Sequence, residues 1–189
     1  MARTNGARIV RGFTIGLTSG LAASWVMNRF QAMLSKTLEG REKPHGAQSI
    51  QEGLPNHGAG RELQEQGKDD PNDNAAERTA NFIAHKAFDR DLSKEEKRNA
   101  GEIAHYAFGG ITGALYGAAT EVWPDAGVGV GVPFGAAVWI AADEIAVPVM
   151  GLSKPAQDYP LSKHAYALAS HLVYGATAEL SRRAVRQIL

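Results

Sequence analysis

The chain has 189 residues, 44% of them apolar, with 20 basic and 20 acidic side chains and no cysteine. That composition excludes disulfides and thiol chemistry, and its balanced charge points away from a nucleic-acid partner. The charges are unevenly spread: residues 39–102 hold most of the acids and many of the bases, while four stretches elsewhere are nearly bare.

In chain order, residues 1–35 read as an N-terminal tail bearing Arg3, Arg8 and Arg11, followed by a first membrane span whose uncharged part is Gly12–Asn28. No clear small-residue cleavage pattern follows that apolar part, so it reads as an uncleaved span rather than a signal peptide. Residues 36–74 are hydrophilic, with Gly, Pro, Gln, Asn and mixed charge, and predict a disordered loop. Over 75–92, Ala76, Ala80, Ile83, Ala84, Ala87 and Phe88 fall on one face at helical spacing. They predict an amphipathic helix that lies on a membrane surface or covers the end of a bundle.

Residues 93–189 are expected to hold three further spans. Ser93 and Glu96 make a capping box, so a helix starts at Ser93 and runs directly into the second span. The bare runs are Ile103–Thr120, Ala126–Ala142, which resumes over Ile145–Ser153, and Ala165–Ala178. Each comes close to the roughly 20 residues that cross about 30 Å of hydrocarbon. Between the third and fourth spans, "SKPAQDYPLSK" predicts an ordered turn.

Glycine spacing separates this reading from its competitor, the buried helices of a soluble bundle. Gly12, Gly16 and Gly20 lie four apart, as do Gly109, Gly113 and Gly117, and Gly127, Gly131 and Gly135. In water, glycine inside a helix costs up to about 1 kcal/mol against alanine. In lipid, small residues every fourth position let helix backbones approach closely. The expected fold is therefore all-α: a four-span transmembrane bundle with an extra amphipathic helix in a hydrophilic first loop. Its partners are the lipid bilayer and either a second copy or another membrane subunit. Arg182, Arg183 and Arg186 follow the fourth span, and the "WPDAG" turn carries no base, which favours cytoplasmic termini.

Ionisable residues inside spans are costly and face the bundle interior or a wet cavity. Asp143 and Glu144 are the deepest pair, and Pro148 cannot donate the hydrogen bond that the Glu144 carbonyl would accept. The helix is expected to loosen where its carboxylates sit, and a proton, a water or a small cation can be held there. His171 and His105 are candidates to join that centre, each with structural hydrogen bonding as the equal alternative. Lower in rank stand Glu179, which follows His171 and Gly175 at spacing four but has Arg182 and Arg183 within pairing reach, and Glu121, beside Trp123 and Pro124 at a helix end. Tyr116 and Tyr174 read equally well as packing aromatics.

Other chemistries find less support. "GVGVGVPFG" fits neither phosphate-loop pattern, and its Pro133 reads as a bend within a span, as does Pro148. Glu102 and His105 have the Glu-x-x-His spacing of di-iron bundles, but no second copy stands on another span. No metal, no other cofactor and no catalytic residue is expected, since no G-x-S-x-G or serine triad is evident.

"AGEIAHYAFGGITGALYGAATEVWP", "GVPFGAAVWIAADEIAVPVMGLSKP" and "YPLSKHAYALASHLVYGATAELSRR" closely resemble the YagU-like bacterial inner-membrane proteins, a family of unknown function. The resemblance covers nearly all of 99–183 and implies a multi-pass helical protein of the bacterial cytoplasmic membrane. Its elements fall on His105, Phe108, Tyr116, Gly117, Asp143, Glu144, Pro148, Gly151, His171 and Tyr174, and it brings no established catalytic residues. Two functions follow from the residues. One is a non-enzymatic protein that binds or passes protons or a small cation, tied to pH or envelope stress. The other is a scaffold whose glycine seams hold a partner subunit.

Overall fold

The computed structural model describes residues 2–37, 58–67, 70 and 73–188, and every regular element among them is a helix. The long elements are α1 (Ala2–Thr37), α4 (Lys94–Val122) and α7 (Leu161–Ile188). Between α1 and α4 stand α2 (Gly58–Glu65) and α3 (Ala75–Phe88). After α4 come a 3-10 segment (Pro124–Gly131), α5 (Val132–Trp139), a π-helix (Ile140–Ala146) and α6 (Val147–Val149). A short 3-10 turn (Ala156–Asp158) leads into α7. Two helical stretches, Asn5–Lys36 and Pro124–Val149, are long and apolar enough to cross a membrane; α4 and α7 are not in that set.

The chain divides into two contact units. The first, here the seam unit, comprises Met1–Thr37, Tyr106–Val138 and Leu168–Leu189. Within it α1 and α4 run antiparallel at backbone contact: a Cβ added to Gly12, Gly16 or Gly20 would overlap the carbonyl oxygen of Gly117, Gly113 or Gly109 respectively. α5 and α7 meet in the same way, with a Cβ on Gly135 running into the His171 carbonyl and one on Gly175 into the Gly131 carbonyl. Only hydrogen at these positions permits the approach, and many dispersion contacts follow from it. Inside this unit small and polar residues, including Ser19, Ser24, Ala114, Thr120, Ser170 and Ala178, lie among Ile15, Met27, Tyr116, Val138 and Tyr174, while Phe13, Leu21, Trp25, Phe108, Ile111 and Leu115 are exposed. So many large apolar residues on the outside of one unit form an unusually extensive exposed apolar surface.

Two expectations about this unit change. The third glycine trio is not a helical stripe, because Val128–Val130 leave helical geometry and Gly131 has φ +77°. Pro133 consequently lies in the first turn of α5, where a missing N–H costs nothing; it helps start the helix rather than bend it.

The second unit, here the insert unit, comprises Leu38–His105 and Trp139–Ala167. Ser93 caps α4 as expected, accepting from Glu96 N at 3.3 Å while Glu96 Oε2 accepts from Ser93 N at 2.9 Å. The Ser93 backbone and hydroxyl hold the Glu96 carboxyl below its ordinary value, with Arg90 adding to the effect. A second box, Asn74 with Glu77, starts α3.

α3 turns its polar side inward: Arg78 and Asn81 are buried, whereas Ile83 and Phe88 are exposed. Hydrogen bonding explains this. Arg78 Nη1 donates to the Leu152 carbonyl at 3.1 Å, Arg78 Nη2 to the Asp70 carbonyl at 3.3 Å, and Asn81 Oδ1 accepts from Leu92 N at 3.1 Å. The helix is amphipathic as expected, but within its own unit the buried side is the polar one. The loop expected over 36–74 contains the helix α2 at Gly58–Glu65, with Leu63 buried, while 38–57, 68–69 and 71–72 lie outside the described residues.

Candidate functional site

The insert unit holds the residues from which a site can be built. α5 gives way to the π-helix at Ile140, so the loosening predicted from Pro148 falls on the turn that carries Asp143 and Glu144. Val147 N reaches back five residues to the Ala142 carbonyl. A proline at 148 obstructs the usual i to i−4 ladder, and one extra residue per turn relieves the obstruction; such π turns recur at functional sites.

Glu144 pairs with His164, in the first turn of α7: Nδ1 lies 2.7 Å from Oε1, and both side chains are 18% exposed. The other ring nitrogen, Nε2, is 3.0 Å from the Ala156 carbonyl. A carbonyl only accepts, so that contact assigns a proton to Nε2. Nδ1 is left facing Oε1, and a proton shared across that contact can sit on either group.

Neighbouring segments fix this geometry. Ala156 is placed by the 3-10 turn, where Asp158 N donates to the Pro155 carbonyl at 3.0 Å and Tyr159 N to the Ala156 carbonyl at 3.2 Å. That is the ordered turn expected from "SKPAQDYPLSK". The chain leaving the π-helix is held by the insert: Ala59 N donates to the Met150 carbonyl at 3.1 Å and Gly60 N to the Gly151 carbonyl at 2.8 Å. Added to Arg78 on Leu152, these bonds occupy three successive carbonyls. The first N–H groups of α2, which lack partners within their own helix, are satisfied by the same contacts.

The seam unit contains a second polar cluster of different character. Glu179, with a side-chain exposure of 0%, accepts at Oε2 from Tyr116 Oη (2.9 Å) and Arg182 Nε (2.7 Å). Its Oε1 accepts from Arg182 Nη2 (2.8 Å) and Arg183 Nε (2.6 Å). Arg183 Nη2 also donates to the Gly127 carbonyl at 2.8 Å, and Phe134 stacks on Tyr116 with ring centroids 3.9 Å apart. The arginine-pairing alternative for Glu179 is the one observed. Glu121 is not merely a residue at a helix end: it is buried and paired to Arg186 at 2.8 Å and Arg8 at 3.5 Å. Tyr174 donates to the Gly109 carbonyl at 2.6 Å, a packing role with its polar tip satisfied.

Of the four residues expected to form one centre, Asp143 is buried on the π-helix, and Glu144 and a half-buried His105 belong to the same unit. His171 is buried on α7 within the seam unit. The sequence reading missed His164, the partner that Glu144 takes. His105 and His171 draw attention because they interrupt apolar runs, whereas His164 stands among polar residues in "PLSKH"; the short spacing between Pro148 and the Pro160 helix start was the available signal. No group of three or more histidine or acidic side chains suited to a metal occurs among the described residues.

A family model described as "Protein of unknown function (DUF1440)" matches residues 72–180. No curated protein and no solved structure matches the chain.

Proposed function

The chain belongs to that family of unknown function, and from this premise we propose that it is a multi-pass protein of the bacterial cytoplasmic membrane that binds or passes protons at the Glu144–His164 pair. The pair's geometry carries the reading: a glutamate and an imidazole 2.7 Å apart, with the far ring nitrogen committed to a carbonyl, inside a π-helical interruption of a stretch apolar enough to span. In such a stretch a carboxylate without a partner is expensive, so gain and loss of the shared proton changes the energy of the turn around it.

Four spans remain the preferred topology. The outward-facing apolar residues of α1 and α4 support lipid as their surroundings. The contacts of Glu121 with Arg8 and Arg186 gather the start of α1, the end of α4 and the end of α7 at one end of the seam unit. An even number of spans produces that gathering, and its arginines favour the cytoplasmic side. The scaffold reading is less favoured, because the seam glycines lie against the chain's own backbone and a partner would have to use other surfaces.

Proteoliposomes loaded with a pH-sensitive dye test the proposal. After an acid jump outside, the parent protein should admit protons faster than empty vesicles do, and Glu144→Gln or His164→Gln should return the rate to that of empty vesicles. Equal rates in parent and variants would remove the pair from the function.

A further inference from the structure

We propose that the arginine-rich end of the seam unit binds the headgroup phosphate of anionic phospholipids. The inference rests on the membrane reading above but concerns a separate set of residues. Arg8, Arg11, Arg182, Arg183 and Arg186 are joined there by contacts to Glu121, Glu179 and the chain's own carbonyls. Counting Asp125 on the adjoining 3-10 segment, arginines outnumber acids five to three.

The burial of the two signs differs sharply. The side chains of Glu121 and Glu179 are 4% and 0% exposed, while those of Arg8, Arg183 and Arg186 are 55%, 49% and 43% exposed. The carboxylates thus anchor the inner edges of the Arg8, Arg183 and Arg186 guanidiniums and leave their outer edges facing the surroundings, while Arg182 is enclosed. Each guanidinium has five N–H donors in a rigid fork, of which the anchoring contacts use one or two, and the fork matches a phosphate. Arg11 is exposed and donates at 3.5 Å to the Arg186 carbonyl, so its charge meets no carboxylate in that contact.

The neighbouring surface selects lipid over a soluble anion. Phe13, Val122, Trp123, Leu180 and Ile188, on the same helix ends, are all exposed. A collar of apolar residues with a tryptophan beside cationic side chains is what the boundary between acyl chains and headgroups accommodates. Basic residues close to an anionic leaflet are drawn to its negative surface potential. A nucleic acid or a soluble phosphate would meet the arginines and find no use for the collar.

Native mass spectrometry of the full chain, released from nanodiscs, separates the outcomes. In discs of mixed phosphatidylglycerol and phosphatidylcholine, the protein should emerge carrying phosphatidylglycerol at least several-fold more often than its share of the disc. Arg11→Gln, which gives up a contact to a carbonyl rather than to a carboxylate, should reduce that enrichment, and Arg8→Gln with Arg11→Gln and Arg183→Gln should abolish it. Failure of the chain to enter discs of phosphatidylcholine alone would overturn the membrane reading and this proposal together. Entry without phosphatidylglycerol enrichment, or enrichment unchanged in Arg11→Gln and the triple variant, would overturn the headgroup site alone. Displacement of the lipid by soluble glycerol phosphate or by a short DNA duplex would likewise overturn it, in favour of a soluble anion.

Discussion

Glu179 and Glu144 are both helical glutamates, and their surroundings are opposite in kind. Glu179 receives four hydrogen bonds, three from two guanidiniums and one from Tyr116. Guanidinium charge is permanent, so this cluster is a fixed lock. Glu144 faces a single imidazole whose protonation can change, on a turn already loosened by a π-helix. Within one chain, then, one carboxylate is held by permanent charge, and the other is the one for which we propose a response to protons. The number of acids in an apolar stretch does not distinguish these roles; the partner does.

The largest effect that tests this contrast is expected at the lock. Glu179→Ala strands the enclosed Arg182 and removes the inner anchor of the half-exposed Arg183, and should cost about 3–5 kcal/mol, the range for breaking a buried pair, read as a lower unfolding temperature in detergent. A variant as stable as the parent would mean that solvent or lipid headgroups replace the glutamate. Next, Gly16→Leu should destabilise by about 1–3 kcal/mol or more, since the added side chain must displace the Gly113 backbone. Gly6→Leu, within α1 where a Cβ meets nothing within 4 Å, should cause no loss of stability in the same measurement, since leucine has the better helix propensity.

At the responsive site the effect on stability should be smaller and the effect on protons larger. Glu144→Gln is expected to cost only about 1 kcal/mol while removing proton uptake by the purified protein across the pH range in which the parent takes up its proton. Pro148→Ala sharpens the point further. Restoring a donor at 148 lets the π turn rewind to α-helix, which rotates residues across the bulge by about 100°. Proton uptake should fall although Glu144 and His164 are both intact, and retention of full uptake would detach the π-helix from the function.

The smallest effect is expected at the start of α4. Because its folded value lies below the ordinary 4.5, ionised Glu96 stabilises the helix at pH above 4.5, and that contribution is lost as pH falls through the lowered folded value. Protection of the first-turn amides of α4, taken relative to the intrinsic exchange rate at each pH, should fall over that acid interval in the parent and change little with pH in Glu96→Gln.

The features that the sequence made legible are local ones. Ser93 and Glu96 lie three apart and close a capping box whatever surrounds them. Glu179 lies three and four residues before Arg182 and Arg183 on one helix, so their pairing needs no tertiary partner. Pro148 disturbs the hydrogen bonds of the turn before it by its own chemistry, and the π-helix appears there. One local box, Asn74 with Glu77, was concealed by the polar composition of its segment. Long-range choices were not legible in this way. The burial of Glu121 depends on Arg8 and Arg186, which are 113 and 65 residues distant.

The sequence by itself determined an all-helical chain, the small residues available for close backbone contact, and the position at which one helix must loosen. These follow from spacing, from the missing Cβ of glycine and from the missing N–H of proline, all properties of a residue and its near neighbours. Only the tertiary structure decided that His164 meets Glu144, that Arg78 turns inward to hold the Leu152 carbonyl, and that the apolar side of α3 faces outward. Each of those pairings joins segments whose approach depends on satisfying buried donors and acceptors from elsewhere in the chain, and that requirement has no period along a sequence.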